Sequence, residues 1–325
     1  MNNEQTTNRT IKSKTESFKP DETERYYSAN RFFTELFGTK TYKLSFNAGF
    51  GCPNRDGKIS TGGCIFCSEG GSGDFAIPIA ADNIEDAFEL AKKRVVAKIK
   101  TDSYVAYFQS YTNTYAKTEV LERLYASVIN RKDVRALSIA TRPDCIKSAV
   151  YELIARLSEI KPVFVELGLQ TSNPQTAKLI NRGYDLPVYD EAVKRLKAAG
   201  ANVITHVIIG PPGESKSDVL ETIKHVANVR SDGIKLQLLH ILKNTKLCDV
   251  YESQRFKILT KEEYADILCD CVNALPPDMV IHRLTGDAPK KLLVEPKWSA
   301  DKKAVLNLIR KTFDERNVIQ GSKLQ

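Results

Sequence analysis

Tyr42-Lys-Leu-Ser-Phe46 leads through a short link into Cys52-Pro-Asn-Arg-Asp-Gly-Lys-Ile-Ser-Thr-Gly-Gly-Cys64-Ile-Phe-Cys67, and the rest of the chain is organised around this stretch. Apolar and polar residues alternate over Tyr42–Phe46, which reads as a β-strand. The cysteine loop therefore leaves the end of a strand. Gly57, Gly62, Gly63, Gly70, Gly71 and Gly73 let it wrap around something compact. Eleven residues separate the first two cysteines and two separate the last two. A structural zinc site wants four protein ligands. A cubane iron–sulfur cluster held by three cysteines leaves one iron open. No histidine is near, the four being His206, His225, His240 and His282. Three readings stand at this point: an iron–sulfur cluster, a zinc loop completed by a distant cysteine, or three ordinary buried thiols.

The 325 residues are 42% hydrophobic and 27% charged, enough for one large domain with a substantial core. No apolar run is long enough for a transmembrane helix. Met1–Lys19 is polar, without the apolar centre of a signal peptide. Seven cysteines without an export signal fit a reducing cytoplasm, not a disulfide framework. The net charge of +8 fits a polyanionic partner such as RNA, and many soluble proteins are as basic.

Residues 1–25 are polar and read as a flexible arm. From Tyr26 the chain packs, first as one short helix around Phe32 and Phe33. Strands are expected at Tyr42–Phe46, Tyr104–Phe108, Val134–Ala140, Val163–Leu169, Val203–Ile209 and Ile234–Leu239. Helices are expected at Asn83–Lys100, Thr118–Asn130 with Thr118 as N-cap, Ser148–Glu159, Pro174–Asn181, Pro187–Ala199, Lys216–Val229 and Lys261–Ala274. Near-continuous apolar strands alternating with amphipathic helices imply a parallel sheet with helices outside. Six strand–helix units fall short of a closed eight-fold barrel. The expected fold is α/β, a partial (β/α)6 TIM-like barrel over residues 26–275, with a doubly wound open sheet as the alternative. Residues 276–325 form a C-terminal extension, with an expected strand at Met279–Leu284 and a basic helix at Asp301–Arg316.

Function in such folds gathers at the C-terminal ends of the strands. There the chain places the cysteine loop, Gln109-Ser-Tyr-Thr-Asn-Thr-Tyr115, Thr141-Arg-Pro-Asp144, Glu166 with Gln170, Gly210-Pro-Pro-Gly-Glu214, and Gln237 with His240. Each alone reads as a turn, a cap or an ion pair. Their arrival at one end of one sheet, beside three cysteines, points to a site.

The chain resembles radical S-adenosylmethionine enzymes, in the branch of the elongator catalytic subunit and most closely the bacterial YhcC/YtqA family. The resemblance runs from about Tyr26 through the C-terminal tail. It is carried by the cysteine loop through Phe75, Tyr107–Tyr115, Ile139–Cys145, Glu166–Gln170, Ile180–Gly183 and His282–Asp287. The commonest spacing in the superfamily has three residues in the first gap. The eleven here match the branch and keep the Cys-x-x-Cys clamp. The resemblance implies that Cys52, Cys64 and Cys67 ligate a 4Fe–4S cluster whose open iron is chelated by S-adenosylmethionine. It further implies Gln109 and Ser110 at the methionyl amine, Arg142 at the methionyl carboxylate, Glu166 and Gln170 at the ribose, and Gly210 within the segment passing the adenine. The implied chemistry is reductive cleavage to a 5′-deoxyadenosyl radical, fed by an external electron donor such as flavodoxin or ferredoxin. The implied substrate is tRNA, with conversion of 5-carboxymethylaminomethyl-uridine to 5-aminomethyl-uridine at the wobble position. The residues themselves add two hints, the net positive charge and the tyrosines Tyr107, Tyr111 and Tyr115, suited to stacking on an extruded base. The competing expectations are a radical enzyme with a small-molecule substrate and a non-catalytic zinc protein that binds nucleic acid.

Overall fold

The structure is a computed structural model that describes residues 19–71, 75–96 and 101–324. The first eighteen residues of the expected arm, Gly73 and the expected helical residues 97–100 lie outside the described residues. Helix α1 (Ala29–Phe37) precedes strand β1 (Tyr42–Asn47). There follow β2 (Ile77–Pro78), α2 (Ile84–Val96), β3 (Tyr104–Phe108), α3 (Thr118–Ile129), β4 (Val134–Thr141) and α4 (Ser148–Ile160). Next come β5 (Val163–Gln170), α5 (Pro174–Leu179), α6 (Leu186–Ala198), β6 (Asn202–Ile209), α7 (Lys216–Asn228) and β7 (Gly233–Leu238). The chain ends in β8 (Ile241–Leu242), α8 (Lys246–Gln254), α9 (Lys261–Ala274), β9 (Val280–Arg283), β10 (Leu293–Glu295) and α10 (Lys302–Glu315).

The main sheet has eight strands in the order β2-β1-β3-β4-β5-β6-β7-β9, and every pairing is parallel. Apart from the two-residue β2 at the outer edge of β1, the order follows the sequence from β1 through β3 to β7, so this is the partial barrel and not a doubly wound sheet. Register follows from the two-residue side-chain period. One face of each strand, including Leu44, Phe46, Phe108, Leu137, Ile139, Val165, Leu167, Val207 and Leu236, is buried in the apolar layer beneath the helices. The alternate residues line the inside.

The lowest inner layer is apolar: Val105, Ala136, Phe164, Ile204 and Val280. Helix α1 plugs it with Phe32 and Phe33, helped by Tyr27; the Phe33 ring meets Phe164 edge-on at 5.5 Å between centroids. Burying each of these rings contributes roughly 2 kcal/mol. Ser28 caps α1 by accepting from the Arg31 amide, and Gly38 ends it in the left-handed region. The plug is fastened from the far end of the chain: Gln320 Oε1 accepts from the Tyr27 amide at 2.8 Å, Arg25 pairs with Asp314, and Tyr26 packs on Phe313.

The structure departs from expectation in three places. Thr118 is the first helical residue of α3, and Lys117, which makes no side-chain cap, stands at the N-cap. Residues 276–325 are not a separate appendage: β9 joins the main sheet beside β7, and Val305, Ile309 and Phe313 of α10 complete the helical layer. The basic face of α10 is partly neutralised, with Lys302 on Asp287 and Lys311 on Glu315, while Arg316 just after it holds Asp266 and Asp270. No helix among the described residues is long and apolar enough to cross a membrane.

Candidate active site

The cysteine loop is pinned from behind by the β5–α6 connection. The Ile65 amide donates to Ile180 O, Asn181 Nδ2 donates to Gly63 O at 2.8 Å, and Asn54 Nδ2 donates to Asn181 O at 2.6 Å. Asn54 Nδ2 also lies 3.6 Å from the Cys64 sulfur. Arg55 bonds the carbonyls of Cys67 and Ser68, and α8 closes one side through the Leu247 amide on Ile65 O. Tyr111 stacks under Arg55 and donates to Glu69 O. Gly71, at φ +58°, is needed there because a Cβ would stand 2.6 Å from the Tyr111 ring. Cys52, Cys64 and Cys67 are half-buried. Burial, with Cys67 beside it, pushes the Cys64 thiol up to about 11 against the pull of Arg142. Among the described residues no three His, Cys, Asp or Glu side chains converge on one ion-sized point, as a mononuclear site with sulfurs about 2.3 Å from the metal requires. Three thiols without a histidine or carboxylate are the donor chemistry of an iron–sulfur group.

The strand ends around this loop carry unusual backbone and orphaned polar atoms. Ser110, Tyr111 and Gln170 have φ of +76°, +53° and +69°. Non-glycine residues held in the left-handed region mark places where the surroundings over-determine the backbone. Buried side-chain atoms without a partner among the described residues include Asn54 Oδ1, Arg55 Nε, Ser68 Oγ, Ser110 Oγ, Thr112 Oγ1, Asn113 Oδ1 and Gln170 Oε1. Native proteins rarely leave such atoms unmet, so their gathering on the cysteine loop and the ends of β3 and β5 fits a polar ligand. Gln109 is half-exposed among them. Gly210, at φ +95°, turns away from β6 with Leu259 3.1 Å from where its Cβ would be. Arg142 is buried and gives Nε and Nη2 to Asp144 at 2.9 and 2.7 Å, stacks on Tyr184, and faces Cys64 and Cys52. Two of its five N–H groups are thus occupied.

One level below, the interior is charged. Glu166 is fully buried and accepts on Oε1 from Lys43 Nζ and Ser138 Oγ, both at 2.7 Å. Its Oε2 meets His206 Nε2 at 2.8 Å and Lys235 Nζ. Burial pushes this carboxyl up, but Lys235, Lys43 and His206 outweigh it and hold the group well below the usual carboxylate range. Burial, with Lys235 adjacent, drives the His206 imidazole down to about 4, so the ring is neutral. The Tyr107 ring lies between Lys43 and Lys235, 4.9 and 4.6 Å from their ammonium nitrogens. Above this floor Ser45, Gln109, Ala140, Gly168 and Gln237 are half-exposed although their strand neighbours are buried. These positions leave the upper interior accessible between the charged floor and the strand ends.

Two sequence readings change here. The resemblance put Glu166 at a ribose, yet its four acceptor positions are all filled from the barrel wall, so it has none left for hydroxyls. The tyrosines are not free stacking platforms. Tyr107 is buried in the floor, Tyr111 braces the cysteine loop, and Tyr115 donates to Asp56 at 2.8 Å. Sequence reasoning missed Lys43, His206 and Lys235. The signal was a basic side chain at an inward position of an otherwise apolar strand.

The family model described as "Radical SAM superfamily" matches residues 47–226, the barrel from the end of β1 through most of α7. The chain belongs to the radical SAM superfamily. The model "Radical_SAM C-terminal domain" matches residues 231–315. Radical SAM enzymes use a 4Fe–4S cluster and S-adenosylmethionine, and these are the cofactors of this enzyme. YtqA of Bacillus subtilis (strain 168) is 43% identical over 301 residues, 93% of each chain. The tRNA uridine(34) acetyltransferase of Methanocaldococcus infernus is 25% identical over 164 residues, 49% of this radical SAM chain and 30% of its own length. The solved structure of the archaeal Methanocaldococcus infernus Elp3 has the same fold, with a TM-score of 0.64 at 17% identity, covering 86% of this chain and 64% of that one.

Proposed function

We propose that this radical SAM enzyme acts on tRNA, converting 5-carboxymethylaminomethyl-uridine at the wobble position to 5-aminomethyl-uridine. The observation that carries the reading is the gathering, beside three cysteines, of buried polar atoms that lack a partner among the described residues, above accessible inner strand positions and a floor that carries Lys43 and Lys235. The partial similarity to a tRNA uridine(34) acetyltransferase and the net charge of +8 support a tRNA substrate. In this reading Cys52, Cys64 and Cys67 hold the cluster. Gln109 and Ser110 meet the methionyl amine, and the Arg142 N–H groups not used by Asp144 meet the methionyl carboxylate. Gln170 holds the ribose, and the Gly210 backbone passes the adenine. Once bound, the cluster and S-adenosylmethionine would supply hydrogen-atom abstraction and a net two-electron oxidation, with S-adenosylmethionine consumed as methionine and 5′-deoxyadenosine and the substrate's second electron passed back to the cluster. The protein's part is to hold the glycine-like methylene of the side group within reach and to admit one water. Water adds at the oxidised carbon, the carbon–nitrogen bond breaks, and glyoxylate leaves with the amine retained on the uridine.

The test is anaerobic reconstitution, then reaction with dithionite, S-adenosylmethionine and total tRNA, with nucleosides read by mass spectrometry. Loss of 5-carboxymethylaminomethyl-uridine matched by gain of 5-aminomethyl-uridine is expected. Cleavage of S-adenosylmethionine with unchanged tRNA nucleosides would return the enzyme to a small-molecule substrate.

A further inference from the structure

We propose that the floor of the barrel receives a carboxylate of the substrate, bound by N–H groups of Lys43 and Lys235 that the protein itself leaves unused. The identity of that carboxylate, the aminoacetate end of the modified uridine, rests on the function proposed above; the site rests on the unused N–H groups and the charges around them.

An ammonium has three N–H donors. Lys43 Nζ bonds Glu166 and has a long contact of 3.5 Å to Ser138. Lys235 Nζ bonds Glu166 and has a long contact of 3.3 Å to the Tyr107 hydroxyl. Each therefore retains at least one donor without an acceptor among the described residues. The charges do not balance either. Lys43 and Lys235 share one carboxylate; burial lowers the Lys235 ammonium to about 7 and the His206 ring to about 4, so a bound anion would hold Lys235 in its charged form. Arg283, which also acts on this cluster, is matched by Asp287 at 3.3 Å. Excess positive charge in a water-poor interior is costly, and an anion with two oxygens would remove the cost. Glu166 cannot serve twice, because its acceptor positions are filled; it fixes the two ammoniums in place.

The neighbouring group sharpens the ligand class. A carboxylate accepts from His206 Nε2, so that nitrogen carries the hydrogen and Nδ1 of the neutral ring is an acceptor. The His206 side chain is partly exposed, as is Lys43, and the half-exposed ring of Ser45, Gly168 and Gln237 lies directly above. Two donors for a carboxylate beside an acceptor for an N–H match a short secondary aminoacetate. They do not match a neutral base edge or a phosphate diester.

The probe is N-methylglycine, compared with its amide, titrated by ligand-observed magnetic resonance into the reconstituted full-length enzyme. The wild type should favour the carboxylate by about a hundredfold, the value of two charge-assisted hydrogen bonds at about tenfold each. Lys43→Met should cut the preference to about tenfold. Lys235→Met alone leaves Glu166 under-paired and could fail to fold, so Lys235→Met is combined with Glu166→Gln, which removes both charges; the same loss is expected. Iron content and circular dichroism should hold in both variants. No preference in the wild type, or a preference undiminished in both variants, overturns the proposal. A preference that behaves as expected while tRNA nucleosides stay unchanged sinks the tRNA reading and leaves the floor standing. Wild-type tRNA turnover in both variants sinks the floor and leaves the tRNA reading.

Discussion

Arg182 is the residue whose removal should couple fold and cofactor most directly. It is 3% exposed and pairs with no carboxylate among the described residues, its hydrogen bonds going to carbonyls. Its Nη1 donates to Leu169 O at 3.1 Å and Thr171 O at 2.6 Å, and its Nε and Nη2 both donate to Tyr184 O. One guanidinium thus ties the end of β5 to the segment that backs the cysteine loop through Asn181. Replacing it with Met keeps the length and deletes every donor. Thr171 O and Tyr184 O then lose the guanidinium, at about 1 kcal/mol each, while Leu169 O keeps the Thr171 amide, so the expected loss of stability is near 2 kcal/mol. That figure takes the low end for each carbonyl, because removing a buried cation also relieves its desolvation. Arg182→Lys should recover part of the loss, since an ammonium has three donors but no planar fork. The assay is urea unfolding followed by circular dichroism, with iron per chain measured after anaerobic reconstitution. Arg182→Met should lower both. A loss under about 1 kcal/mol with full iron would refute the view that this guanidinium clamps the loop.

Cys64→Ala should abolish the brown chromophore and 5′-deoxyadenosine formation together; a variant that still carried four irons would remove Cys64 from the ligand set. Arg142→Ala should weaken S-adenosylmethionine binding about tenfold or more while iron stays near normal, read by calorimetry, and unchanged affinity would return Thr141–Asp144 to a turn. Changing Lys302, Lys303, Arg310 and Lys311 together to Gln should lower tRNA affinity and flatten its salt dependence in filter binding; an unaltered salt slope would place the RNA surface elsewhere. His206 takes up its proton later in the folded than in the unfolded chain. Its contribution is therefore present above its ordinary value of 6.5 and lost as pH falls toward about 4, amounting to roughly 3 kcal/mol. His206→Gln should flatten the stability profile over that window, and an unchanged profile would mean that the ring titrates normally.

Much of the fold was legible because each main strand is buried on its outer face and is followed by an amphipathic helix. Tyr104–Phe108 and Lys261–Ala274 were read with the observed bounds. What escaped was too short or too weakly patterned. Strands β2 and β8 have two residues each, and α8 buries only Leu247 and Cys248. The cysteine loop announced itself by spacing. The charged floor did not, because a single Lys within Gly-Ile-Lys-Leu-Gln-Leu looks like one polar position on a strand. Only closing the sheet brings Lys43, Glu166, His206 and Lys235 together from four strands. The basic helix was read correctly as a helix, but its sequence did not reveal that acidic groups would claim some of its charges.

The fastening of the α1 plug sets an order of events for a growing chain. Tyr27 and Gln320 are 293 residues apart, yet a hydrogen bond between them secures the plug that seals the narrow end. The Gln320 side-chain amide also grips Met279 O near the start of β9, so one late side chain joins the sheet margin to the early helix. The six repeating units can begin to assemble as they leave the ribosome, because each strand pairs with a neighbour close in sequence. The narrow end cannot be locked until Gln320 has emerged. For most of its synthesis the nascent barrel therefore holds the α1 plug without its Gln320 fastening, with the cysteine loop already made.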